Sequence, residues 1–291
     1  MNFVFYLHDE KSSENIERRL LWFKKHYNLV SSQEIYSYYY EGLKLYNSCH
    51  LTIDDGWLST YQVVFPLLKK HKIPVTIFVS PEVCLNKLNF WYYDIKKFSE
   101  NDFKQYLVCE GYFKEGVEKY PLELILKELE IDEVYSCIRK YAFIHHIDLS
   151  ERGFVNIEEV KEMSDSGLVE IGAHTMIHPI LAAENKKRSE YEIVQSVNNL
   201  ATLIDKPVTS FAYPNGLWMD DFGQREMEFA NKAGIKLAYS VQPGVLNIKK
   251  SPLAIPRVGQ EKRLKLGRLG LILPSLHNQR KPRNLIKSLK L

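Results

Sequence analysis

The stretch LTIDDGW, Leu51 to Trp57, runs an apolar, strand-forming segment straight into two adjacent carboxylates and a glycine. Like charges side by side repel each other and resist desolvation, so Asp54 and Asp55 do not suit the middle of a core strand. They belong on a solvated turn or around a cation. The strand that leads to them, CHLTID (49–54), is one of a series. Before it, FVFYL (3–7) reads as a short buried strand and NIERRLLWFKKHY (15–27) as a helix with one apolar face. After it, TYQVVFPLLKKHK (60–72) reads as a helix interrupted or begun near Pro66, and PVTIFVS (74–80) as another strand. Such alternation predicts a parallel α/β sheet with helices outside.

Residues 84–150 break the pattern. They are rich in aromatic and charged residues, with helical periodicity in PLELILKELEIDEVYSCIRKYAF (121–143), and are expected to form a helical insertion rather than an independent domain. The alternation then resumes. Helices are predicted at 156–167, 188–204 and 223–234, and strands at LVEIGAH (168–174), VTSFAYP (208–214) and IKLAYSV (235–241). The simplest account is one domain of six to eight βα units over 1–260, carrying the insertion, followed by a basic C-terminal tail, 261–291.

Composition is that of an ordinary globular chain: 291 residues, 45% hydrophobic and 26% charged. The net charge of +3 hides an asymmetry, because residues 261–291 hold nine Lys/Arg against the single acid Glu261. For that tail two readings stay open: peripheral contact with an anionic membrane, or a docked or frayed terminus. No recognisable nucleic-acid module accompanies the charge, so no nucleic-acid partner is expected. The four cysteines, Cys49, Cys84, Cys109 and Cys137, form no C-x-x-C pair and are expected to be free and mostly buried. The start, MNFVFYLHDE, lacks the basic region of a secretory signal, and no run of 18 apolar residues occurs; a cytoplasmic protein is the expectation.

A second informative stretch is EIGAHTMIHPIL, in which His174 and His178 stand four apart just after a predicted strand. On a helical turn such residues share a face, although Pro179 limits any helix there to a single turn. In a parallel α/β barrel the carboxyl ends of all strands meet on one face, so this pair and the aspartates can converge. Two neutral imidazoles and one carboxylate make three ligands with positions left open, the arrangement of a catalytic metal site. Only one aspartate need bind. If a turn at Gly56 aims both carboxylates at one cleft, the other is free to take a proton from the attacking water.

The two motifs, Thr52-Ile53-Asp54-Asp55-Gly56 and His174-Thr175-Met176-Ile177-His178, resemble T-F-D-D-G and H-[ST]-x-x-H of the polysaccharide deacetylase family with the NodB-homology domain. The resemblance covers most of 3–260. It implies a deformed (β/α)7 barrel and metal-dependent removal of an N-acetyl or related acyl group from an amino sugar. By motif, Asp54 is the general base and Asp55, His174 and His178 hold one divalent metal ion. Zinc suits that ligand set best, with nickel, cobalt or manganese as alternatives. The family's R-x-P-Y motif falls on Ala212-Tyr213-Pro214-Asn215: the proline is kept and the arginine is not. Asn215 offers a main-chain N–H to an oxyanion. Arg257, in IPRVG after the last predicted strand, is the candidate to orient Asp54 in place of the missing arginine.

His8, at the end of the first strand in FYLHDE, resembles the histidine of the branch that includes poly-N-acetylglucosamine deacetylases, implicated there as the acid that protonates the leaving amine. Tyr213 and Pro214 are candidates for substrate contact. Trp57, Trp91 and Trp218 are candidates for an aromatic wall against a sugar ring, with core packing the alternative for each. The substrate expected is an acylated amino sugar, nucleotide-linked, lipid-linked or oligomeric, used in surface-glycan biosynthesis. Two other functions stay open: hydrolysis of a non-sugar amide or formamide at the same site, and carbohydrate binding without catalysis.

Overall fold

The β4 sequence Val-Thr-Ile-Phe-Val (Val75–Val79) is buried at every position, as a parallel strand covered on both faces must be. The computed structural model describes residues 1–9, 11–259 and 280–291. Within them the strands are β1 (Phe3–Leu7), β2 (Asn28–Leu29), β3 (Ser48–Ile53), β4, β5 (Val169–Ala173), β6 (Ser210–Ala212), β7 (Leu237–Tyr239) and β8 (Val258–Gly259). Seven form one curled parallel sheet in the order β7-β6-β5-β4-β3-β1-β8, while β2 pairs with the start of β3. A parallel bridge from Tyr239 to Ile255 ties β7 to the segment leading into β8, which itself pairs with β1 at Phe5–Val258 and Tyr6–Gly259. The sheet therefore returns on itself as a deformed (β/α)7 barrel.

The sequence reading missed β2 and β8. Each has two residues, too few to show periodicity, and Pro256 stands two residues before β8. Around the sheet lie α1 (Ser13–His26), α2 (Ser32–Tyr40) and α3 (Phe65–His71). Ahead of α3 the chain makes a π turn, Thr60–Val64, in which the Phe65 N–H reaches back to Thr60 O. Pro66, at the start of α3, has no N–H for an α-type bond, which accounts for the break in helical register.

After α4 (Pro81–Asn86), which joins the barrel core through Cys84, the insertion comprises α5 (Trp91–Asp94), α6 (Glu100–Cys109), α7 (Leu122–Leu126) and α8 (Ile131–Ile144). It has an apolar core of its own, including Phe103, Leu107, Ile125 and Ile138. The barrel resumes with α9 (Ile157–Asp165), α10 (Lys186–Ile204) and α11 (Gln224–Lys232). Of the basic tail, 261–279 lies outside the described residues. Its end, α12 (Arg280–Lys287), docks on the insertion: Ile286 is fully buried in the insertion's core, and Arg283 bonds Glu128 at 2.5 Å and Asp221 at 2.9 Å. The last residues are thus a docked terminus. Cys49, Cys84, Cys109 and Cys137 are all free thiols, and only Cys109 is exposed. Among the described residues no helix is long and apolar enough to cross a membrane.

Candidate metal centre and catalytic cleft

Asp54 and Asp55 follow the last residue of β3, where the backbone turns sharply. Asp55 has φ +73° and Gly56 φ +62°. The reversal expected at Gly56 therefore begins one residue earlier, at Asp55, and this lets adjacent carboxylates serve one cleft. Gly56 is required twice over, since a Cβ there would lie 2.8 Å from Val79 Cγ1 in addition to the left-handed backbone. The carboxylates then diverge in partner. Asp54 receives both guanidinium NH2 groups of Arg257, at 2.7 and 2.8 Å, a bidentate pair with no exposure of the arginine. Arg257 is itself fixed, donating to Ser240 O at 2.9 Å and Thr52 Oγ1 at 3.1 Å and lying 5.0 Å from the centre of the Tyr6 ring. Burial by itself would raise the Asp54 pKa, but the Arg257 charge and hydrogen bonds outweigh it and hold the carboxyl below its usual value.

Asp55 faces the histidines. Its Oδ1 lies 3.4 Å from His174 Nε2 and 3.5 Å from His178 Nε2, and its Oδ2 accepts from Trp57 Nε1 at 3.1 Å. His174 follows β5 and His178 ends the tight turn after it, with Thr175 at φ +64° and His178 at φ +63°. The pair is brought together by this turn and not by a helix. Thr175 Oγ1 accepts from the His178 N–H at 3.0 Å. Glu192, fully buried on α10, accepts from the N–H groups of Met176 at 2.9 Å and Ile177 at 3.2 Å. Sequence reading overlooked Glu192. The signal was there: Ser189, Glu192, Ile193, Ser196, Val197 and Leu200 follow the spacing of one buried helix face, and a carboxylate on such a stripe needs partners.

The three side chains fit a metal ion. Their ligand atoms all lie within 4.8 Å of one another. A tetrahedral centre with bonds of about 2.0–2.1 Å sets its ligand atoms about 3.3–3.4 Å apart, close to the 3.4 and 3.5 Å observed. His174 Nδ1 is 2.7 Å from Ala212 O, which fixes the proton on that nitrogen and leaves Nε2 free to coordinate. Burial pushes the His178 pKa down to about 3, so its imidazole is neutral, as a ligand must be. Burial opposes ionisation of Asp55, yet the His174 hydrogen bond keeps its pKa below the usual carboxylate range.

These groups line a cleft of about 330 Å³ together with Tyr6, His8, Trp57, Trp91, Asn215 and Val241. His8 is half exposed, its Nδ1 3.9 Å from Asp55 Oδ2. Asn215 sits at φ +58° after β6. The insertion supplies Trp91, Tyr92, Lys96, Glu123 and Lys127, of which only Trp91 was expected at the site. Tyr92 packs against His178 with ring centres 5.1 Å apart.

Three expected substrate contacts are not there. Tyr213 is fully buried, stacked 3.7 Å from the Phe222 ring, and its hydroxyl donates to Leu253 O. Pro214 is also buried and shapes the turn that presents Asn215, its carbonyl accepting from the Gly216 N–H at 2.6 Å. Trp218 packs edge-on to Phe222 at 5.3 Å and belongs to the main core. The chain turns these residues behind the cleft wall, a direction that motif position cannot reveal.

The comparisons with known proteins agree with this geometry. The sequence profile of polysaccharide deacetylase matches residues 124–238, a stretch holding both histidines and the Asn215 loop. The poly-beta-1,6-N-acetyl-D-glucosamine N-deacetylase of Staphylococcus aureus is 23% identical over 273 residues, 88% of this chain and 72% of that protein. Among solved structures, IcaB from Ammonifex degensii aligns with a TM-score of 0.60 at 19% identity, covering 90% of this chain and 92% of that one. The BpsB deacetylase domain from Bordetella bronchiseptica aligns with a TM-score of 0.56 at 18% identity, covering 88% and 94%. With the Asp-Asp and His-x3-His motifs meeting at one strand-end cleft, the chain is similar to polysaccharide deacetylases over residues 124–238 and resembles the poly-N-acetylglucosamine deacetylase branch along most of its length.

Proposed function

We propose that this chain is a metal-dependent deacetylase that removes an N-acetyl group from an amino sugar in surface-glycan biosynthesis. The observation that carries the reading is the meeting of Asp55, His174 and His178 beside an Asp54 carboxylate fixed by Arg257. A divalent cation bound by the first three would polarise the acyl carbonyl and bring the pKa of the attacking water toward ~7. Zinc suits two imidazoles and a carboxylate.

Asp54 accepts the water's proton as general base. Its two oxygens are held by Arg257, so the carboxylate cannot rotate toward the histidines, and its depressed pKa keeps it ionised and ready to accept. As the acyl carbon becomes tetrahedral, the Asn215 main-chain N–H, which no acceptor among the described residues takes, is available to the oxyanion. His8, on the open side of the cleft, donates the proton that the departing amine needs. Trp57 and Trp91 offer apolar surface to the sugar ring.

The test is amine release from N-acetylglucosamine oligomers by protein of measured metal content. Activity that vanishes with a chelator and returns with zinc supports the reading. A metal-loaded protein that releases formate or opens a cyclic amide, and leaves acetylated sugars intact, would replace it with the non-sugar alternative.

A further inference from the structure

Lys127, at the C-terminal end of α7, faces the same cleft as the metal-ligand side chains. Its charge is not met locally. The acids whose charges act on it are Asp221, Glu123 and Glu128. Asp221 and Glu128 are engaged by Arg283, at 2.9 and 2.5 Å. Glu123 lies one helical turn earlier with its residue exposed, and no carboxylate among the described residues forms an ion pair with Lys127. An ammonium group only partly open to water and without a paired carboxylate is costly to hold there, and its pKa is lowered by burial in spite of those acids.

The Tyr92 hydroxyl on this wall is buried near the Asp55 carboxylate, with which it makes no hydrogen bond of good geometry. Lys96 is exposed at the mouth of the cleft, its ammonium 5.2 Å from the centre of the Trp57 ring. The insertion thus turns two cations toward the cleft against one acidic group, Glu123. A neutral acetamido sugar does not answer that pattern. A phosphoryl group does, because it brings negative charge and several acceptor oxygens, and lysine binds it as a point charge.

We propose that Lys127, with Lys96, forms a phosphate-binding subsite, so that the acylated amino sugar taken by this cleft carries a phosphate monoester or diester. This rests on the amino-sugar reading above and narrows its substrate class.

The experiment compares kinetics of amine release from N-acetylglucosamine, N-acetylglucosamine 1-phosphate, UDP-N-acetylglucosamine and N-acetylmuramic acid, using metal-loaded wild type, Lys127→Met and Lys127→Arg. The expected result is a KM at least ten-fold lower for the phosphate-bearing sugars than for the neutral one. That ratio collapses toward one in Lys127→Met and is restored in Lys127→Arg. A monoester preferred over the nucleotide diester points to a sugar phosphate, and the reverse order to a linked carrier. Equal KM values in the wild type, a ratio that survives Lys127→Met, or a preference for the carboxylate sugar would overturn the phosphate subsite. Calorimetric titration of the same sugars into the same proteins separates the two claims. Lys127-dependent binding of the phosphate sugars without turnover of any acyl sugar would refute the deacetylase reading and leave the subsite standing. Turnover of the neutral sugar with no Lys127-dependent binding would do the opposite.

Discussion

The two walls of the cleft are built on opposite plans. On the barrel side nearly every polar group is committed to another: Asp54 to Arg257, Arg257 to Ser240 and Thr52, His174 to Ala212, and Glu192 to the turn between the histidines. The backbone there is forced into the left-handed region at Asp55, Thr175, His178 and Asn215. Non-glycine residues in that region cost about 1–3 kcal/mol each and persist only where the surroundings over-determine them. On the insertion side the aromatic rings of Trp91 and Tyr92 stand beside Lys96 and Lys127, whose charges have no paired carboxylate. Fixed groups suit bond-breaking, which needs position, and uncommitted donors suit recognition, which needs a ligand to complete them.

The sharpest way to break this comparison is within the barrel wall, between the two aspartates. Asp55→Ala should lose both bound metal and turnover. Asp54→Asn should keep the metal and lower kcat by about 10²–10⁴, the usual contribution of a general base. Metal content by mass spectrometry beside single-substrate kinetics decides it; an Asp54→Asn protein that no longer holds metal would reverse the two roles.

Arg257 comes next. Arg257→Met leaves the Asp54 carboxylate buried without its partner, and breaking such a pair typically costs about 3–5 kcal/mol. Urea unfolding should show that loss as a lower midpoint. Arg257→Lys keeps a charge but cannot make the fork to both oxygens. Its kcat should fall more than its KM changes, because Asp54 is misaimed and the sugar is not touched. A Lys variant with wild-type kcat would mean that Asp54 does not depend on bidentate support.

How much of this was readable in advance follows the same division. The longer strands and both motifs were legible because apolar runs and strand-end polar residues are local patterns: β1 was found at its true limits, and Asp54, Asp55 and His174 fell where parallel strands end, with His178 one turn beyond. Arg257 was picked out only through the resemblance, as a stand-in for the arginine that the R-x-P-Y motif lacks here. What failed was direction and distance. Tyr213 follows β6 like a site residue yet turns into the core against Phe222, since one backbone torsion decides which side of the wall it joins. Tyr92 and Lys127 come from a helical insertion that bears no sequence signal of its orientation over the barrel. The tail's docked end stayed only one of two readings because the carboxylate partners of Arg283, Glu128 and Asp221, are over 60 residues away in sequence.

Glu192 offers a gentler cut at the barrel wall. Glu192→Gln keeps the size and one acceptor oxygen but removes the charge that Arg188 pairs at 3.0 Å and weakens the hold on the Met176 and Ile177 amides. Loss of such a supporting group costs about 10–100-fold in metal affinity. Zinc titration against a chelating dye should show a shift toward the lower end of that range, with kcat restored at saturating metal. Unchanged affinity would mean that Thr175 and the rings of Tyr92 and Phe90, each centred 5.1 Å from the His178 ring, hold the turn without it.

The smallest effect is expected from the other wall. Tyr92→Phe removes one buried hydroxyl, which lies near Asp55 without a well-formed hydrogen bond, and leaves the ring against His178. If that hydroxyl waits for substrate, KM should rise several-fold, about what a neutral hydrogen bond of 0.5–1.5 kcal/mol is worth, with kcat and metal content unchanged. Thermal stability should rise slightly or stay level, because an unsatisfied buried polar atom has been deleted. A fall in kcat instead, with KM constant, would assign Tyr92 to the reacting groups and dissolve the distinction between a wall for chemistry and a wall for recognition.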